Sequence, residues 1–504
     1  THTHTHTHTH THTIIYTRAQ QVVGGMRVAL LAVISALGPT VGHTTAHAPF
    51  AKYLPGFPPK YQQKIRQVLG KGLSCGVDSS PAEDKAKTFR PTDYGADPSG
   101  ESDSSLALRR TVEAMLNSSS GSRDLGGATL DLAGGKYLIS EGLQIPPGYD
   151  NLEVRDGTLV AADSFPLGGT LLLIGDANAV KGSANKNINV MSLTLDGGGR
   201  AARAMGVLNC QYVNIGPSFM AYGFHQYGVQ MNGTGGCFIH HSWMGEVAPF
   251  APKDLTTSVS NLTSSVISLE GSEHDCYVKD VIIWSGRIGL RSQNGANEIE
   301  GLHTWNLDNL QGGIGILLEG GSGIVRGSYL DFCPLVVLDP KSVIVEGNLF
   351  LARANLVVQA SKSKTVSGLV VTGNRWWSER NKQFANDTIV VNGMINAVTD
   401  TVIESNTADS ILHVTSTRAT LTKDLPVGAD QIVLDFSDHL LFNTPIHEAY
   451  CSINAEEYIG HVVNMRQKKP IDRSITVLLS RAAQKKGGQV TCTVDQSQRT
   501  QPGH

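Results

Sequence analysis

Between residues 121 and 406, apolar side chains come in short alternating bursts, each closed by glycine, asparagine or proline. Ala128-Thr129-Leu130-Asp131-Leu132, Tyr137-Leu138-Ile139 and Leu152-Glu153-Val154 set the pattern. A period of two is strand chemistry, because successive side chains point to opposite faces. No helical stripe intervenes, which excludes a doubly wound sheet or an α/β barrel. Just upstream, Ser102-Asp103-Ser104-Ser105 is a cluster of helix-capping residues and predicts a helix from about Ser104 to Leu116.

The bursts repeat. One apolar register runs through Val190, Ile215, Ile239, Val278, Ile299, Val325, Val345 and Val371, at intervals of 20 to 26 residues with one of 39. A second follows Val207, Val229, Ile267, Ile288, Ile314, Val336 and Val357, with the same period and one stretched interval at the same place. An insertion near residues 247–264 accounts for both. Short strands in units of some 22 residues cannot each bury an inner face alone, but stacked units share one core. The leucine-rich frame is missing, and a propeller needs a longer period. The expected fold is therefore all-β: a single-stranded, right-handed parallel β-helix over residues 91–408, its open edge capped by the Ser104 to Leu116 helix. Residues 409–496 alternate differently and predict a small antiparallel β module, followed by a tail at 497–504.

The N-terminal end reads differently. Thr and His alternate through the first thirteen residues, a tract with no apolar face, and residues 1–25 read as translated sequence upstream of an initiator at Met26. Arg27, the apolar run Val28 to Leu37 and the small residues near Ala46 to Ala48 then predict a signal peptide over 26–48, too short in its apolar run to cross a bilayer. A polar lead-in occupies 49–90. Four glycosylation sequons, at Asn117, Asn232, Asn261 and Asn386, fit export to the extracellular space or wall. Of the seven cysteines none has metal-site spacing, and Cys451 and Cys492 are candidates to pair. A formal net charge of -3 supplies no basic excess for nucleic acid, and no other stretch is long enough to span a membrane.

Residues Asp93-Tyr94-Gly95-Ala96-Asp97-Pro98, Gly100 and Asp103-Ser104 form a signature that resembles the start of pectate-lyase-superfamily β-helix proteins. Gly228-Val229-Gln230, Ser242-Trp243-Met244-Gly245, Ser285-Gly286-Arg287-Ile288-Gly289-Leu290, Gly301-Leu302-His303-Thr304-Trp305-Asn306 and Gly327-Ser328-Tyr329-Leu330-Asp331 follow in the order seen in the plant QUARTET-type polygalacturonase family. The resemblance covers roughly residues 90–495. It implies a secreted cell-wall protein acting on demethylesterified pectin, polygalacturonate or a related acidic polysaccharide; the chain is expected to be a monomer. The Asn-Thr-Asp, Asp-Asp, Gly-His-Gly and Arg-Ile-Lys motifs of ordinary polygalacturonases do not occur in this chain.

Candidate chemistry comes from the second register. If Val229 and Met231 point inward, Gln230 points outward. The same alternation exposes Glu270 beside Leu269, Arg291 beside Leu290, and Glu319 beside Leu318. Stacked coils then set Gln230, Glu270 and Arg291 in a polar ladder, with Glu319 one outward position further along. Two carboxylates across a glycosidic bond are what hydrolysis needs, and Asp275, in the loop after Glu270, is a further candidate. The expected catalytic residues are Glu270, Asp275 and Glu319, with His225, Gln230 and Arg291 binding substrate. A solvated face with a surface ion pair is the plainer alternative. Most of the five tryptophans are expected to fill coil corners. No metal or cofactor is expected, except calcium if the chain is a lyase. Hydrolase, β-eliminating lyase and non-catalytic wall-binding protein all stay open on these residues.

Overall fold

The structure, a computed structural model, describes residues 87–119, 121–179, 184–248, 263–271, 275–305, 313–361, 363–377, 387–409, 412, 414–455, 458–461, 465–466, 473–481, 484 and 487–499. The leader, most of the lead-in, Cys75, the sequons at Asn261 and Asn386 and most of the 247–264 insertion lie outside these residues.

The strands stack into a parallel β-helix. Ten of them, from Leu143–Ile145 to Ile389–Asn392, form one parallel sheet; most of the rest form a 19-stranded parallel array that bends at every coil. The first register is a row of coil neighbours. Val190 pairs with Ile215, Ile215 with Ile239, Ile239 with Val278, and so on through Val371 to Ile403. The residues from Val190 to Val345 in this row have no exposed surface. Each buried Val or Ile contributes about 1.5–3 kcal/mol, and no coil could collect that alone. The 39-residue interval is one coil, since Ile239 and Val278 are direct partners.

The second register departs from expectation. In the ten-stranded sheet the inward ladder is Val229, Ile267, Leu290, Ile316, Leu335 and Leu356. Ile288 and Ile314 stand half-buried beside it, and Val336 and Val357 lie on the outer side. The cause is chemical. Outward positions such as Leu317 and Val336 are apolar too, so the alternation that marks a face is not written in the run.

The bend between the two faces of the large array takes a single left-handed residue per coil: Asp280 (φ 51°), Gly301 (63°), Gly327 (56°), Gly347 (62°), Gly373 (65°) and Ser405 (58°) in successive coils. Glycine adopts that conformation without a Cβ penalty. The next residue points inward and is polar where the coils are most regular. Ser328, Asn348, Asn374 and Asn406 each accept from the backbone N–H of the coil before, as in Ser328 N–H to Asn348 Oδ1 at 2.9 Å and Asn374 N–H to Asn406 Oδ1 at 3.0 Å. Asn348 and Asn374 are fully buried, and this ladder satisfies backbone groups that the corner would otherwise orphan.

The helix Ser105–Leu116 covers the N-terminal edge with Leu108, Val112 and Met115 buried against the coils. Its start is held from one residue earlier than the cap. Asp103 accepts from the Ser105 N–H (3.0 Å) and hydroxyl (2.6 Å) and from the Ser140 N–H (3.1 Å) and hydroxyl (2.6 Å) of the coil below. Burial pushes this carboxyl up, but the Ser105 and Ser140 hydrogen bonds outweigh it and hold it at about 2. A depressed carboxylate stabilises fully above its unfolded value of 3.8 and loses that contribution as pH falls through about 2. We therefore predict that Asp103→Asn flattens part of the fall in melting temperature between pH 4 and 2. Identical slopes for variant and wild type in thermal melts would refute the pinning role.

After Ala408 the pairing turns antiparallel. Arg418–Leu425, Gly488–Asp495, Glu448–Ala455 and Tyr458–His461 form one sheet; Gln431–Asp435, Ser474–Leu478 and Met465–Arg466 form another. They enclose a separate core around Leu434, Phe436, Val477 and Val490. Cys451 and Cys492, directly opposite in register, form a disulfide. A second joins Cys237 and Cys276 on neighbouring coils. Cys210 is a buried thiol, pushed up to about 12 by burial.

Candidate functional site

The outer side of the ten-stranded sheet carries a cluster that holds four of the residues singled out in sequence, Gln230, Glu270, Arg291 and Glu319. Five strands build it: Arg203–Leu208, Tyr227–Asn232, Ser265–Glu270, Ile288–Gln293 and Ile314–Glu319. Their apolar inner ladder fixes the register, so the outward side chains meet at coil spacing, about 4.8 Å.

Two outward levels matter. At the first, Gln230 pairs with Ser268, and Ser268 with Arg291. At the second, two positions along, Asn232 pairs with Glu270, and Gln293 with Glu319. The expected straight ladder of Gln230, Glu270 and Arg291 is thus corrected. Glu270 shares a level with Glu319, because Ser268 occupies the place beside Gln230.

The side chains nevertheless converge. Gln230 Nε2 donates to Glu270 Oε2 at 3.0 Å, and Ser268 Oγ donates to Glu270 Oε1 at 2.7 Å. Arg203 Nε donates to Gln230 Oε1 at 2.6 Å. The Tyr227 phenol, pushed up by burial and by its hydrogen bond to the neighbouring Glu270, lies with its ring 5.7 Å from the Arg203 guanidinium carbon. Arg291 Nε and Gln293 Nε2 both donate to Glu319 Oε2, each at 2.8 Å. Glu319 draws the Arg291 guanidinium up by hydrogen bond and charge, and Glu270 adds to it. Two glutamates and two arginines therefore share one partly buried surface.

Asp275 and His225 lie in turns rather than on these strands. Asp275 sits in the turn before Tyr277–Ser285, its φ at 61° and its backbone N–H donated to the Ala296 carbonyl. His225 holds the corner ahead of Tyr227–Asn232, with Nδ1 3.2 Å from the Ala201 carbonyl oxygen. Sequence reasoning missed Arg203, Tyr227, Ser268 and Gln293. Arg203 precedes its partner Tyr227 by one period, and that spacing was the available signal. Among the described residues no group of three or more His, Cys, Asp or Glu side chains is arranged to hold a metal ion. No helix among them is long and apolar enough to cross a membrane.

The tryptophans divide. Trp284 and Trp376 are buried, but Trp243, Trp305 and Trp377 are 50%, 43% and 58% exposed, so corner-filling accounts for fewer than half of the five.

No family model matches the chain. Over 308 residues it is 28% identical to Polygalacturonase QRT3 of Arabidopsis thaliana, an alignment covering 58% of this chain and 63% of that protein's length. Among solved structures it is similar to PfbA, a surface adhesin of Streptococcus pneumoniae, at 14% identity over 64% of this chain and 98% of that one, with a TM-score of 0.45. It is also similar to the A-module of the mannuronan C-5 epimerase AlgE4 of Azotobacter vinelandii, at 13% identity over 64% and 95%, with a TM-score of 0.39. The fold rests on the chain's own strand ladder rather than on these two likenesses.

Proposed function

With a plant polygalacturonase as sequence relative, we propose that this chain is an extracellular, pectin-active glycoside hydrolase that cleaves α-1,4-galacturonan on the outer side of its ten-stranded sheet. The observation that carries the reading is the pair Glu270 and Glu319, at one outward level two coils apart. Two coil steps amount to about 9.6 Å between their backbone positions. Inverting glycosidases separate their carboxyls by about 6.5–9.5 Å, leaving room for the attacking water. Two carboxyls carried at that backbone spacing on one outward level can flank one glycosidic bond.

The neighbours support an acidic sugar. Arg203 and Arg291 flank the glutamates, and a guanidinium matches a uronate carboxylate bidentately. Gln230 bridges Arg203 to Glu270 and holds the carboxylate for the reaction. Within this reading Glu270 and Glu319 carry the acid and base roles, and Gln230 and Arg291 position substrate. No metal is needed, since the arginines supply the neutralising charge. The two disulfides fit an oxidising compartment.

The deciding experiment measures reducing ends and unsaturated-end absorbance together on polygalacturonate. Reducing ends alone are expected. Both signals rising would make the chain a lyase, and neither would make it a binding protein.

A further inference from the structure

The large parallel array presents two outer faces, and they differ in chemistry. One carries charges that alternate from coil to coil. Lys279, Glu300, Arg326, Glu346 and then Thr372 and Glu404 follow in register, tied by ion pairs such as Lys279–Glu300 and Arg326–Glu300. Such a face satisfies itself.

The other face, beyond the left-handed corner, is aromatic. One outward row runs Met220, Trp243, Ile282, His303, Tyr329 and Leu349. Within it the His303 and Tyr329 rings stack at 4.4 Å and 16°. The adjacent row runs Trp305, Asp331, Leu351 and Trp377. Between the outward residues Thr304, Leu330, Phe350 and Trp376 point into the core, so the backbone that presents these rings is held from behind. Exposed tryptophans on a face with so few charges mark an interaction surface rather than ordinary solvent exposure.

We propose that this face is a binding platform for a neutral, linear pyranose polysaccharide lying along the helix axis, separate from the glutamate site. Three features select that occupant. The exposed indoles of Trp243, Trp305 and Trp377 offer faces that stack on the C–H faces of sugar rings, with an N–H left free for hydroxyls. The ledges recur at the coil step, about 4.8 Å, so a straight polymer can meet several at once, with Trp243 and His303 two coils apart and Trp305 and Trp377 three. The two rows carry one acid and one base, Asp331 and Arg375, two coils apart, and burial pushes the His303 imidazole down from its usual range. Nothing there would compensate a polymer bearing one carboxylate per sugar. The platform does not depend on the hydrolase reading. It gives the chain a hold on uncharged wall glycan while another face meets the acidic one.

The test is affinity electrophoresis of the full chain in gels holding glucomannan or hydroxyethyl cellulose, with a polygalacturonate gel alongside. Wild type should be retarded by the neutral glycans. Trp305→Ala and Trp377→Ala should each weaken that retardation, and the triple variant with Trp243→Ala by about tenfold or more. Glu270→Gln should leave it unchanged, which separates failure of this proposal from failure of the hydrolase reading. All three sites are solvent-facing, and the single variants guard against misfolding of the triple one. Absence of retardation in wild type would overturn the platform. So would retardation indifferent to the single and triple substitutions. Light scattering showing wild-type dimers that the triple variant loses would assign the face to a second copy instead.

Discussion

Glu270→Gln will lower the rate of polygalacturonate cleavage by at least about a hundredfold, the lower end of what a positioned acid or base supplies. The substitution keeps shape and removes only the ability to hold and pass a proton. Glu270 lies at the outer end of its strand, with its contacts to Gln230, Ser268 and Tyr227 all made on the outward side, while Ile267 and Leu269 beneath it keep the core intact. Stability should fall by only about 1–2 kcal/mol, the scale of one hydrogen bond to a charged group lost from a partly buried network. Glu319→Gln should show a loss of the same order. Arg291→Ala should instead act mainly on KM, because its proposed work is holding substrate. Steady-state kinetics on defined oligogalacturonides separate these outcomes. A Glu270→Gln enzyme within about threefold of wild type would remove the pair from the mechanism.

The largest expected effect on stability lies at Asn374, remote from the chemistry. Its Nδ2 donates to the Val345 carbonyl (2.9 Å) and to Asn406 Oδ1 (3.0 Å), and its Oδ1 accepts both the backbone N–H and the Nδ2 of Asn348, each at 3.0 Å. Asn374→Ala leaves a buried N–H, a buried carbonyl and half of the Asn348 amide without partners. At about 1–3 kcal/mol for each of the three buried groups left unmade, a loss of at least about 3 kcal/mol follows. Asn374→Ser should recover part of it, since Ser328 fills the equivalent corner, accepting the Leu302 N–H and donating to the Arg326 carbonyl. Thermal melts of the two variants check the ranking. If alanine costs less than about 1 kcal/mol, or serine is worse than alanine, the corner ladder is not what holds these coils.

The architecture was legible because one face of each coil is written in Val and Ile at a fixed period, and only a shared core explains such a row. The helix cap was legible for a local reason, the serine and aspartate cluster ahead of Leu106. The second register slipped where Leu317, Val336 and Val357 make both sides of a strand apolar, so nothing in composition marks the inside. The site suffered a related blur. A shift of two positions decides whether Glu270 stands beside Gln230 or beside Glu319, and Ser268, small and unremarkable in sequence, is what occupies the difference. Arg203 and Tyr227 escaped notice because they sit at the other end of their strands and reach the glutamates by side-chain length. The Cys451–Cys492 pair was anticipated and forms, whereas the Cys237–Cys276 pair was missed although its spacing was a usable signal. Cys237 and Cys276 are separated by 39 residues, the same interval that separates Ile239 from its partner Val278.

The corner made by one left-handed residue and one inward amide has a bearing on how such a molecule can diverge. A turn that short, with its amide spliced into both neighbours, has no slack: one extra residue there would throw every later side chain to the wrong surface. The other two corners bracket the sheet that bears the glutamates, and the widest sequence interval between successive coil strands ends at Ser265, the first residue of a strand of that sheet. Length can therefore be gained or lost only beside the groove. Descendants of this scaffold are free to rebuild the walls around a sugar chain while the spool beneath keeps its pitch.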